Sequence, residues 1–95
     1  MILHVTKAKY LEKFKIELSF NDGKTGVADL SNSLDGLIFK PLNDQSEFSK
    51  LRLDDELNTI VWPNGADFAP EYLYFKAFSD QPDLRQKFKE WGYIT

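Results

Sequence analysis

Ninety-five residues make one domain with one core, and a chain of this size buries roughly 60–70% of its unfolded surface. There is no Cys, which excludes disulfides, thiolate zinc sites and cysteine nucleophiles. The net charge is −3, with seven Lys against seven Asp/Glu in residues 1–50 and five Lys/Arg against eight Asp/Glu in residues 51–95, so neither half offers the basic surface that a phosphate backbone attracts.

The core has to come from large side chains, and 8 Phe, 4 Tyr and 2 Trp supply them. Each aromatic buries about 150–250 Å² when enclosed, so few positions yield much area. No apolar run approaches the ~18 residues of a membrane span, and the start of the chain has no apolar leader. With the missing Cys, this predicts a cytoplasmic protein.

In chain order, Leu3 and Val5 alternate with His4 and Thr6, which suggests a first strand. Lys7, Lys9, Lys13 and Lys15 are the only local basic excess and read as the solvated face of a hairpin. Phe14, Ile16, Leu18 and Phe20 alternate with Lys13, Lys15, Glu17 and Ser19, the period-2 signature of a strand with one buried and one wet face. Asp22-Gly23 then suits a two-residue hairpin turn with positive φ at both positions. That turn would pair Leu18 with Val27 and Phe20 with Thr25, and the third strand runs about Lys24 to Asp29. The economical reading is a three-stranded antiparallel meander.

Residues 31–50 are less regular. Ser31 or Ser33 would cap a short helical turn over Leu34, Leu37 and Ile38, with Gly36 and Pro41 breaking anything longer. Asp44 caps a second turn over 45–50 that points Phe48 inward. A second hairpin follows. Leu51 and Leu53 answer Trp62 and Ile60 across a four-residue loop, Asp55 to Asn58, while Arg52 and Val61 share the other side.

Pro63 stops the second of these strands, and Asn64-Gly65 turns the chain towards a helix beginning near Pro70-Glu71. Residues 71–78 are apolar nearly all round, so that helix is covered on more than one side. Tyr72 and Phe75 lie on one flank, Tyr74 and Phe78 on another. Either the last helix or a partner chain covers the second flank. Pro82 opens that last helix, with Leu84, Phe88 and Trp91 at i, i+4, i+7 and Gly92 as its stop.

Reaction chemistry is sparse. His4, the single histidine, has no evident nucleophile or orienting partner and reads as an edge or surface residue. No metal-ligand spacing and no Gly-rich phosphate loop is present, so no catalytic residue, metal or cofactor is assigned. The segment from Trp62 to Asp67 is where polar groups and a turn meet. Asp67 has two readings: a cap accepting backbone N–H bonds from the loop or the coming helix, or part of a docking edge or ligand lip. The candidate binding residues are Trp62, Asn64, Asp67, Tyr72, Tyr74, Phe75 and Phe78.

Four segments carry a family resemblance: Phe20-Asn21-Asp22-Gly23, Val27-Ala28-Asp29-Leu30, Ile38-Phe39-Lys40-Pro41-Leu42, and the run from Ile60 through Trp62-Pro63-Asn64-Gly65-Ala66-Asp67 to Pro70. Over about residues 1–75 the chain resembles the small bacterial proteins grouped as domain of unknown function 2442. The resemblance implies an α+β domain, a small antiparallel sheet packed against helices; residues 76–95, less typical of the family, are read from the sequence pattern as a helical C-terminal extension within a single 1–95 domain. It implies no established activity. Members are often encoded beside another small protein, in an arrangement like that of toxin–antitoxin pairs. Some relatives carry a molybdopterin-guanine-dinucleotide biosynthesis label, which nothing in these residues supports. The expectation is therefore a protein-interaction module, an adaptor or antitoxin-like protein acting with a genomic neighbour or as a homo-oligomer. The alternative is a small-ligand binder or enzyme using the Trp62–Asp67 loop.

Overall fold

A computed structural model describes residues 2–95. Its elements are β1 (Val5–Glu12), β2 (Lys15–Phe20), β3 (Thr25–Asp29), α1 (Gln45–Phe48), β4 (Arg52–Asp54), β5 (Thr59–Val61), α2 (Pro70–Phe78) and α3 (Arg85–Glu90). Short 3-10 turns at Lys40–Asn43 and Pro82–Leu84 precede α1 and α3. The strands form a three-stranded antiparallel sheet in the order β1-β2-β3 and a separate β4–β5 hairpin. The chain is an α+β fold, a meander plus a second hairpin with helices packed against them. Among the described residues no helix is long and apolar enough to cross a membrane.

The alternation in β2 dictates the layers. Ile16, Leu18 and Phe20 are buried while Glu17 is exposed. On the same inner face Tyr10 lies opposite Ile16, and Ala8 opposite Leu18. From β3, Ala28 and Gly26 complete that face. The α2 helix lies over its β3 side, packing Phe78 on Phe20 at 5.8 Å between ring centroids and Tyr74 on Phe20 at 5.0 Å.

The first strand is longer and later than the Leu3–Val5 pattern suggests. Residues before Val5 are instead bracketed by Asn21, whose Oδ1 accepts from the His4 N–H at 2.9 Å and whose Nδ2 donates to the Ile2 carbonyl at 2.7 Å. In the β2–β3 hairpin the register differs by one residue from a two-residue Asp22-Gly23 turn. Leu18 sits opposite Gly26, and Ser19 opposite Thr25. The loop is three residues long, Asn21-Asp22-Gly23, because only Gly23 takes positive φ (89°). A two-residue turn of the expected type needs positive φ at both central positions, and Asp22 does not supply it. A one-residue slip exchanges the two faces of a strand. Here it turns Gly26 inward and leaves Val27 exposed.

The region after β3 also departs from expectation. Ser31 and Ser33 cap no helix; Leu34 is buried, while Leu37 and Ile38 face solvent. Gly36, with φ 93°, opens a single turn over residues 37–39, its carbonyl accepting from the Lys40 N–H at 2.9 Å, and no serine side chain caps it. Asp44 does cap α1, accepting from the Ser46 N–H at 3.0 Å, and Phe48 is fully buried. The Ser46 hydroxyl, which donates to the same Asp44 oxygen at 2.8 Å, and then the Ser46 N–H hold the Asp44 carboxyl below the usual carboxylate range. In the second hairpin Leu53 does pair with Ile60, and Arg52 with Val61.

Candidate functional site

The Trp62–Asp67 segment is a second three-residue turn of the same construction as Asn21–Gly23. The Gly65 N–H donates to the Trp62 carbonyl (2.9 Å), and the Trp62 N–H donates to the Ala66 carbonyl (2.9 Å). In the first turn, Gly23 donates to Phe20 (3.0 Å) and Phe20 donates to the Lys24 carbonyl (2.9 Å). Both glycines take φ near 90°. Both turns carry an Asx residue just before the Gly, and its side-chain oxygen accepts from the N–H two residues on. Asp22 Oδ1 accepts from Lys24 (3.0 Å), and Asn64 Oδ1 from Ala66 (3.1 Å).

The second arm of each Asx side chain ties its turn to a distant element. Asn64 Nδ2 donates to the Ile38 carbonyl at 2.8 Å, which fixes loop 36–39 against the 62–66 turn. Asp22 Oδ2 accepts from the Tyr74 hydroxyl at 2.8 Å, which ties the first hairpin to α2. Burial first, and then that bond to a carboxylate, push the Tyr74 hydroxyl above the usual tyrosine range.

Asp67 does not do the work expected of a cap. The residue before α2 is Ala69, with no side-chain capping bond, and Pro70 opens the helix. Asp67 contributes through its backbone, as an isolated bridge opposite Val61. Among the described residues its carboxylate accepts no hydrogen bond, so the closing role belongs to Asn64. Trp62 is a core residue. Its indole N–H donates to the Phe48 carbonyl at 2.8 Å in the buried interior.

The aromatic surplus expected on α2 is enclosed by the chain itself. Leu73, Tyr74 and Phe78 are buried. Phe88 of α3 packs edge-on against Phe75 at 5.1 Å and against Tyr74 at 6.2 Å. Tyr93 stacks on Phe75 at 5.0 Å, and Lys87 lies over the Tyr74 ring at 5.6 Å. Tyr72 and Phe75 remain half-buried, and the Tyr72 hydroxyl shares a 2.7 Å hydrogen bond with Ser33. Of the seven residues singled out by sequence, three are therefore interior: Trp62, Tyr74 and Phe78. Asn64 and Asp67 are exposed, and Tyr72 and Phe75 are half-buried.

Two residues that sequence reasoning passed over matter here. In the sequence Asp22 signals only a turn; nothing local signals its bond to Tyr74, 52 positions away. Gly26 sits in a strand interior, a recognised mark of close approach by another group, and the Phe78 ring lies against it. Among the described residues no three His, Asp or Glu side chains gather as a metal site. Clefts open elsewhere: one of about 470 Å³ between β1 and Leu53, and one of about 190 Å³ beside Pro82 and Arg85.

No curated protein and no solved structure matches the chain. The family model described as a protein of unknown function (DUF2442) matches residues 5–79, so the two Asx-Gly turns, both sheets and α2 fall within the match and α3 lies beyond it. The chain belongs to that family.

Proposed function

We propose that this protein works by contact with another protein, as an adaptor or antitoxin-like module, through the surface where the 62–66 turn holds loop 36–39. The observation that carries the reading is Leu37, 95% exposed beside the 46% exposed Ile38, on a loop anchored by the Asn64 side chain. Two adjacent large aliphatic side chains on a surface turn are costly in water unless something covers them. Anchoring lowers the conformational entropy lost when they are covered. Scattered single apolar residues on a surface need no explanation, but this pair stands on a built support.

Co-expression of the tagged chain with the product of the adjacent gene tests the proposal. The neighbour co-purifies with the unaltered chain. The Leu37→Ser, Ile38→Ser double variant loses it while keeping its melting temperature. A chain that ignores its neighbour and stays monomeric by light scattering removes the support for this reading.

A further inference from the structure

The first strand is paired on one side only. β1 joins β2, and among the described residues no strand pairs with its other edge, since β4 and β5 form a sheet of their own. Backbone groups alternate sides along a strand, so the register shows which ones point outward. The Phe20 N–H donates to the Lys24 carbonyl at 2.9 Å, so Phe20 and Leu18 turn their backbone towards β3, and Ser19 and Glu17 turn theirs towards β1. Lys7 and Lys9, opposite Ser19 and Glu17, therefore face β2, and the N–H and C=O groups of Ala8 and Tyr10 face the free edge. That edge is already engaged at one end, where the Val5 N–H donates to the Asn58 carbonyl at 2.9 Å. Further along, it borders the cleft of about 470 Å³ that Leu53 lines from β4.

Side chains give the missing strand a chemistry. Lys7 and Lys9 are exposed, line the cleft, and belong to the only local basic excess in a chain of net charge −3. Between them Ala8, like Leu53, packs against the core. Opposite charges across a strand pair stabilise it, and like charges directly opposite destabilise it. A second copy of β1 is therefore a poor occupant. Antiparallel pairing centred on Ala8 sets Lys7 against Lys9 of the other copy, and pairing centred on Lys9 sets two Lys9 side chains together. We propose that the free edge of β1 is a docking site for an extended acidic segment of a partner protein, with Asp or Glu opposite Lys7 and Lys9 and an apolar residue opposite Ala8. Backbone bonds to Ala8 and Tyr10 hold the added strand, while the lysines and the cleft beside Leu53 read its alternate side chains. Lysines that discourage indiscriminate pairing at an edge thus select the strand that is admitted. The site is separate from the loop contact proposed above.

Fluorescence anisotropy on the full chain tests it with a fluorescein-labelled peptide reading Glu-Val-Glu-Val-Glu-Val-Glu. The peptide binds the unaltered chain, and binding weakens as salt rises from about 0.05 to about 0.5 M. A peptide of the same composition with its glutamates in one block binds at least about tenfold more weakly, because it cannot set acidic and apolar residues on alternate faces. The Lys7→Glu, Lys9→Glu variant, altered only at exposed positions, keeps its melting temperature and loses at least about tenfold in affinity. Ala8→Pro removes one outward N–H at an edge position where a strand accepts proline, and it too binds at least about tenfold more weakly. On binding to the unaltered chain the Ala8 and Tyr10 amides become protected from exchange. No binding of the alternating peptide, equal binding of the block peptide, or a bound peptide that leaves those two amides unprotected overturns the edge site. A dimer by light scattering that Ala8→Pro dissociates gives the edge to a second copy and overturns the acidic partner.

Discussion

Gly26→Ala sets two opposing effects against each other. Gly26 does not occupy the left-handed region. On backbone grounds alone, alanine there stabilises by about 0.4–1 kcal/mol, because it restricts the unfolded chain. But a Cβ at this position lies 2.6 Å from Cε1 of Phe78, 3.1 Å from Cζ and 3.3 Å from Cδ1. A flexible surface side chain would move aside. Phe78 is buried, with Tyr74 at 4.7 Å and Phe20 at 5.8 Å on its other sides, so the ring has nowhere to go. Overpacking a filled core costs about 1–3 kcal/mol. The steric effect wins, leaving a net loss of about 1–2 kcal/mol. For a domain of this size, that lowers the melting temperature by roughly 5–15 °C. Thermal unfolding followed by circular dichroism reads it directly. A companion variant, Phe78→Leu, shrinks the obstructing ring. The double variant is then less destabilised than the sum of the singles, by about 0.5–3 kcal/mol of coupling. An unchanged or raised melting temperature for Gly26→Ala refutes the argument that Phe78 is pinned against β3.

Asn64→Ala removes both the Ala66 and the Ile38 bonds and costs roughly 1–2 kcal/mol in urea unfolding. Asp67→Ala leaves the urea midpoint where it was; a large loss at Asp67 would restore the capping role to that carboxylate. Tyr74→Phe deletes the bond to Asp22 and lowers stability by about 1–2 kcal/mol near neutral pH. The same tyrosine sets an alkaline limit. Its folded value is raised, so its contribution is fully present below the unfolded tyrosine value of about 10 and is lost as pH climbs above it, because only the unfolded chain releases the proton. Denaturant midpoints between pH 9 and 11 fall for the unaltered protein and fall less steeply for Tyr74→Phe; equal slopes refute the assignment.

The parts of this fold that show in the sequence are those in which one side chain carries one signal. The alternation through Ile16, Leu18 and Phe20 states which face is buried because the strand period is two. Asp44 before Gln45 reads as a cap because the bond it makes is two residues away. The four-residue loop of the second hairpin fixes Leu53 against Ile60 in the same way. What failed to show depends on a choice between near-equal local geometries, or on distance along the chain. Asp22-Gly23 permits both a two- and a three-residue loop, and the space that Phe78 takes up over Gly26 agrees with the longer one. Asn64 and Asp67 are both credible acceptors in the same short loop. Only the position of the Ile38 carbonyl, 26 residues earlier, shows why Asn64 is the one engaged: its Nδ2 donates there, which a carboxylate cannot do.

The aromatic residues carry the same lesson about their partners. Fourteen rings in 95 residues suggest more apolar surface than one small body encloses, as long as each ring is counted against aliphatic neighbours. In this molecule the rings are each other's neighbours. Tyr74 alone meets Phe20, Phe78, Phe88 and Trp91. Phe68 lies between Phe39 and Tyr72, stacked on each at 4.7 and 5.3 Å. Ring-on-ring contact buries two large surfaces at once, and edge-to-face pairs add about 0.5–1.5 kcal/mol beyond area. It needs no directional bond, and the element beyond the family's matched region is seated on α2 by rings and aliphatic side chains. The same economy leaves α3 with no hydrogen bond to α2 among the described residues; its charged contact with that helix is Lys87 over the Tyr74 ring at 5.6 Å.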